Sequence, residues 1–102
     1  MAPLLTFYGD DFTGSTAVME VLSFAGVPTM LFMEPPELDV LTEYPTLQAI
    51  GVAGTARSKN PAWMRSNLPA VFERLKNFGA PVSHYKVCST FDSSPEIGSI
   101  GV

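Results

Sequence analysis

Two adjacent carboxylates, Asp10 and Asp11, stand directly behind the run Leu4-Leu5-Thr6-Phe7-Tyr8-Gly9 and just ahead of Thr13-Gly14-Ser15-Thr16. Exposed N–H groups at a helix start favour an anion or an acceptor cap. Either Asp can fill that place, accept hydrogen bonds from ligand hydroxyls, or hold a divalent cation. Residue type alone does not choose between them. Two further polar stretches follow, residues 54–59 around Arg57 and residues 86–94 beginning with Lys86. Arg57 suits a two-pronged grip on a carboxylate, and Lys86 would add a second charge. Both also read as ordinary solvated cations. Carboxylates, one or two cations and many hydroxyls together fit a small ligand that carries a carboxylate and several hydroxyl groups.

Other chemistries lack their residues. No Lys follows Gly14, so the first loop is not the phosphate-gripping G-x-x-x-x-G-K-[ST] pattern, and G-x-G-x-x-G is absent. Paired acids and a late Lys would also suit a Mg²⁺-dependent phosphoacceptor site. That site needs an Asp at the end of the third strand, where Gly51-Val52-Ala53-Gly54 stands. The lone His84 could serve as a general base, but no acid or nucleophile is placed beside it by spacing, and a solvated or hydrogen-bonded structural role is the stronger reading.

The elements that must position these loops are legible as apolar periodicity. Residues 4–8 form a strand covered on both faces, followed by a helix over 15–25 with Val18, Val21, Leu22 and Ala25 on one stripe. Gly26 and Pro28 end it. A second strand covers 29–33. A short helix over 37–44 would turn Leu38 and Leu41 inward before Pro45 stops it. A third strand covers 47–53, with Gly51 marking a close approach of another backbone or a ligand. Asn60-Pro61 starts a helix whose stripe is Leu68, Val71, Phe72, Leu75 and Phe78, with a kink or break at Pro69. Gly79 and Pro81 end that helix. The fourth strand, 82–88, mixes Ser83, His84 and Lys86 with apolar residues, as at an edge or cleft. Asp92-Ser93-Ser94-Pro95 reads as one more helix start. Right-handed crossovers would bring all three polar loops to one rim, at the carboxyl ends of parallel strands. The expected fold is therefore α/β: an open, mainly parallel sheet with flanking helices, Rossmann-like in three layers, and incomplete.

Composition narrows the class. The chain has 102 residues, at most one domain, and 46% hydrophobic content favours a folded core over disorder. A net charge of −4 and a pI near 4.7, without clustered Lys or Arg, argue against nucleic acid or an anionic membrane as partner. The single Cys88 excludes an intrachain disulfide and a cysteine-based metal site; it reads as a small buried hydrophobe. No signal-peptide pattern opens the chain and no apolar run approaches a membrane span, so the cytoplasm is the expected compartment. An uncovered sheet face and edge would leave the chain marginally stable or self-associating.

Tyr8-Gly9-Asp10-Asp11-Phe12-Thr13-Gly14-Ser15-Thr16 and Tyr85-Lys86-Val87-Cys88-Ser89-Thr90-Phe91-Asp92-Ser93-Ser94, followed by Ile97-Gly98-Ser99-Ile100-Gly101, resemble two signatures of the four-carbon acid sugar kinases. Thr55-Ala56-Arg57-Ser58 is similar to that family's Thr-Arg-Ser loop with one residue interposed. The resemblance spans essentially the whole chain. It implies part of an N-terminal acid-sugar-binding domain, over residues 1–102, of an ATP-dependent kinase acting on threonate, erythronate or 3-oxo-tetronate. ATP and Mg²⁺ would be bound by a C-terminal domain that this segment lacks, and the segment alone would be inactive. A stand-alone binding module without catalysis is the competing reading. Carried over by resemblance, Asp10 and Asp11 lie in the sugar pocket, either one a candidate hydroxyl-positioning group. Arg57 meets the substrate carboxylate, and Lys86, Ser89, Thr90 and Asp92 line the other wall.

Overall fold

The structure, a computed structural model, describes residues 2–87 and 93–101. Its elements in chain order are strand β1 (Leu5–Gly9), helix α1 (Phe12–Phe24), strand β2 (Thr29–Phe32), the short helix α2 (Val40–Glu43), strand β3 (Ala49–Ala53), a single 3₁₀ turn (Ala56–Ser58), helix α3 (Pro61–Lys76) and strand β4 (Val82–Lys86). The four strands form one parallel sheet in the order β2-β3-β1-β4. This is the expected α/β architecture. Strand β1 is central, and its register levels the carboxyl ends: Gly9 pairs with both Ala53 of β3 and Lys86 of β4. The three loops therefore leave the sheet at one height.

Period-two alternation divides β1 between two layers. Leu5 faces a groove it shares with Val18, Val21 and Leu22 of α1, whereas Thr6 and Tyr8 face Phe72 and Leu75 of α3. The α3 side holds the continuous core, built on Tyr8, Ile50, Val52, Met64, Leu68 and Leu75, all buried. On the α1 side, Phe7 is 1% exposed and its ring lies across Gly51, its register partner. A Cβ on Gly51 would sit 2.0 Å from Phe7 Cζ. The close approach at Gly51 is therefore made by an aromatic side chain, not by the backbone or ligand that the sequence led one to expect.

Several boundaries differ from the periodic reading, each for a local reason. Helix α1 begins at Phe12, three residues before the expected start, because Asp11 caps it from outside. The polar first turn then packs its smallest residues inward. Gly14 and Ser15 are buried, and a Cβ on Gly9 would lie 1.9 Å from Ser15 Oγ. In α2 it is Val40 that is buried, with Leu41 packed against the core, while Leu38 lies outside the helix and is 54% exposed. Helix α3 runs through Pro69 as one element. Pro69 is exposed, so the carbonyl that loses its helical donor is left on the watered side. Asn60 caps α3 through Oδ1 on the Trp63 N–H at 2.8 Å, as its position before Pro61 predicts. Gly26 and Gly79 end their helices at φ 83° and 74°, in the left-handed region.

Strand β4 ends at Lys86 and flanks the sheet as an edge. Its first residue, Val82, is 53% exposed. No helix starts at Pro95. Instead Ser94 Oγ accepts from the Ile97 N–H at 3.0 Å and donates to the Ile97 carbonyl at 3.1 Å, closing a turn. Ser93 Oγ accepts from the Ile100 N–H at 3.0 Å. Side-chain hydroxyls have taken the backbone groups that a helix would use.

Candidate functional site

The three loops meet. Asp10 N–H donates to the Lys86 carbonyl at 3.0 Å, Gly54 N–H to the Gly9 carbonyl at 2.9 Å, and Arg57 N–H to the Asp10 carbonyl at 3.0 Å. These bonds tie the ends of β1, β3 and β4 into one rim. The loop after β1 turns toward the α1 face and the loop after β3 toward the α3 face, so the rim lies where the sheet's connections diverge. Ligands of open α/β sheets bind in such crevices.

Asp11 serves the helix first. Its Oδ1 accepts from the Gly14 N–H at 2.9 Å, and its carbonyl accepts from Ser15 Oγ at 2.6 Å. The other oxygen, Oδ2, faces Arg57 Nη1 at 3.7 Å. Arg57 rides on the 3₁₀ turn with its side chain 41% exposed, against 18% for that of Asp11. Lys86 approaches the same first turn of α1 from β4. A Cβ on Gly14 would lie 3.5 Å from Lys86 Cγ, and Lys86 Nζ donates to the Val87 carbonyl at 2.6 Å. Two cations therefore flank the N-terminal turn of α1, whose own N–H groups attract negative charge.

Asp10 lies elsewhere. It continues the alternation of Thr6 and Tyr8 onto the α3 face and is 4% exposed. The Tyr8 ring stacks on Tyr85 at 5.5 Å between centroids, and Phe72 meets both edge-on. Burial pushes the Tyr8 phenol above its ordinary value of 10.0, and the Asp10 charge adds to this; hydrogen bonds from the backbone of Ala56 and Thr55 act the other way. The Tyr85 phenol is pushed further up by burial, then by Asp10, then by Tyr8. Buried Tyr85 Oη has no hydrogen-bond partner among the described residues. Beside this cluster, a cleft of about 240 Å³ runs from Tyr8, Gly54 and Thr55 to Trp63 and Asn67 of α3.

Asp10, Asp11, Arg57 and Lys86 are thus brought to one rim, with Asp11 and Asp10 on opposite sides of it. Ser89, Thr90 and Asp92, and Cys88 with them, lie outside the described residues. His84 sits away from the rim, in the groove between α1 and β4. Tyr8 and Tyr85 were not among the residues that the sequence offered as site candidates. Their signal was present in the alternation Thr6, Tyr8, Asp10, which sets an aromatic hydroxyl two residues from a carboxylate on one face. Among the described residues no three His, Cys, Asp or Glu side chains are grouped to hold a metal ion, and no helix is long and apolar enough to cross a membrane.

Residues 5–102 match the family described as the sugar-binding N-terminal domain. The chain belongs to this family. Among curated proteins, this sugar-binding domain is 53% identical over 98 residues to the 3-oxo-isoapionate kinase of Paraburkholderia graminis, covering 96% of the chain and 21% of that protein. It is 33% identical over 99 residues to the 3-oxo-tetronate kinase of Burkholderia multivorans, covering 97% of the chain and 22% of the relative. The 3-oxo-tetronate kinase of Cupriavidus necator is 30% identical over 99 residues, with 97% and 23% covered. The domain spans about a fifth of the length of these relatives. No solved structure matches it.

Proposed function

We propose that this chain forms part of the acid-sugar-binding half of an ATP-dependent kinase that phosphorylates a 3-oxo sugar acid of the tetronate type. The observation that carries the reading is the meeting of Asp10, Asp11, Arg57 and Lys86 at one rim of the sheet. The 53% identity to a 3-oxo-isoapionate kinase, against 30–33% to 3-oxo-tetronate kinases, favours a ligand of the 3-oxo-isoapionate class.

Each residue's part follows from its surroundings. Arg57 takes the substrate carboxylate. Its 3.7 Å pairing with Asp11 is long and partly solvated, so a ligand carboxylate with two parallel hydrogen bonds competes well for it. Lys86 and the first turn of α1 add positive potential at the same place. Asp11 serves the helix cap, and Asp10, buried at the rim beside Tyr8 and Tyr85, is the group that orients a substrate hydroxyl. By family resemblance alone, Ser89, Thr90 and Asp92, which lie outside the described residues, are further substrate-contact candidates.

The described residues do not fit ATP or Mg²⁺. They carry no Gly-rich loop with a Lys for phosphates, and no acidic cluster for the cation. In this reading both are held by sequence that the longer relatives carry beyond this segment. Phosphoryl transfer requires both substrates to be positioned together. The 102-residue chain alone is therefore a binding module without turnover.

Calorimetric titration with threonate and with the uncharged alcohol threitol tests the reading. Threonate is expected to bind at least about tenfold more tightly, a typical margin for a charge-assisted carboxylate grip, and Arg57→Ala to remove that margin. Equal affinity for acid and alcohol, or an unchanged Arg57→Ala variant, would refute the site. ATP consumption dependent on threonate by the 102-residue chain would refute the division of labour.

A further inference from the structure

The turn formed by residues 93–101 returns to the rim at Gly98. Its N–H donates to the Lys59 carbonyl at 2.7 Å, and its backbone adopts φ 62°, in the left-handed region. The approach leaves no space for a side chain. A Cβ here would lie 2.5 Å from the Arg57 carbonyl oxygen, 3.2 Å from its carbonyl carbon and 3.3 Å from its Cα. All three are backbone atoms, so no rotamer change relieves the clash. Arg57 is thereby held on both sides of its Cα. Asp10 accepts from its N–H, and Gly98 packs against its C=O. Ser93 and Ser94, through their bonds to Ile100 and Ile97, shape the turn that delivers Gly98.

We propose that Gly98 is a positioning residue for Arg57: it fixes the backbone from which the guanidinium reaches the ligand carboxylate, and so sets the preference for acids over uncharged polyols. This rests on the reading of Arg57 as the carboxylate grip. A 3₁₀ turn of three residues has little rigidity of its own. Its aim must come from outside, and a bidentate contact tolerates little misplacement. Any L-residue at position 98 meets two obstacles, the positive φ and the Arg57 carbonyl. The turn then has to back away from Arg57 or push it.

Two other glycines separate positioning from stability. Gly26 has φ 83° with nothing within 4 Å of where a Cβ would stand, so Gly26→Ala imposes backbone strain without contact. Among the described residues a Cβ on Gly101 would meet Ser99 Oγ at 3.7 Å, an ordinary contact, and the φ of Gly101 is not positive, so Gly101→Ala disturbs neither backbone nor packing. Titration of the 102-residue chain with threonate and threitol is expected to show Gly98→Ala losing about tenfold in threonate affinity, with threitol affinity unchanged. Gly26→Ala and Gly101→Ala are expected to keep the acid preference, even where Gly26→Ala melts lower. A Gly98→Ala chain that folds and keeps that preference would overturn the proposal. If Gly98→Ala does not fold, amide resonances of the unsubstituted chain decide. Threonate, and not threitol, is expected to shift Gly98 together with Arg57, and a Gly98 resonance unmoved while Arg57 shifts would overturn the proposal. Should the unsubstituted chain bind neither ligand, the carboxylate-grip reading fails. The mechanical coupling is then judged by the Arg57 and Lys59 amides, expected to shift in Gly98→Ala and not in Gly101→Ala; no shift in Gly98→Ala would overturn it.

Discussion

Replacing Asp11 separates its service to the helix from its service to the rim. Asp11→Ala removes the cap on the Gly14 N–H, the charge at the start of α1 and the pairing with Arg57. Loss of such a cap costs about 1 kcal/mol. The Arg57 pairing is long, at 3.7 Å, and the Arg57 side chain is 41% exposed. Solvent screening holds that pair and the helix-end charge together to about 0.5 kcal/mol. The total of about 1.5 kcal/mol lowers the melting midpoint of a domain this size by roughly 6–12 °C. Asp11→Asn keeps an equivalent acceptor, since Asn caps as well as Asp. It loses only the charge, about 0.5 kcal/mol. Urea unfolding of both variants, at low salt and at about 1 M salt, reads the difference. High salt is expected to bring Asp11→Asn back to the parent and to leave Asp11→Ala about 1 kcal/mol short, because the cap is local and the charge terms are screened. If Asn proves as damaging as Ala, the cap is not the main role of Asp11. Asp11 is then a second candidate beside Asp10 for orienting the hydroxyl, and the assignment to Asp10 alone fails.

Two further outcomes follow from the packing. Gly51→Ala forces a methyl into the Phe7 ring with β3 fully buried around it, and is expected to cost about 2–3 kcal/mol in urea unfolding. Phe7→Leu in the same chain should recover part of that cost; no recovery would refute the ring contact. The raised Tyr8 and Tyr85 phenols give a pH dependence of definite sign. Below their ordinary value of 10.0 both states keep these protons and stability is full. Above it the unfolded chain releases them first, so stability falls as pH rises from 10 through the folded-state values. Absorbance titration of the folded chain should show two phenols ionising late, with Tyr85→Phe removing one; a flat stability profile above about pH 10 would contradict the burial of this pair.

Residue pattern alone determined a good deal. Apolar runs and the stripe from Leu68 to Phe78 placed four strands and α3, because burial repeats with the period of the element. Gly26, Gly79 and Asn60 marked helix ends, because left-handed backbone and a side-chain cap need those residue types. The same pattern missed the first turn of α1, whose buried faces are Gly14 and Ser15, too small and polar to register as core. It also set a helix at Pro95, where Ser94 had a nearer partner in Ile97.

What no local pattern contains is the order β2-β3-β1-β4 and the register that levels Gly9, Ala53 and Lys86. Those are contacts between residues far apart in the chain, decided by which strands bury the most against each other. Only that pairing brings Arg57 to Asp11, puts Asp10 among the tyrosines on the far face, and lets a glycine near the end of the chain press on the backbone of Arg57. The chemical groups were written in the sequence; their meeting was decided by the sheet.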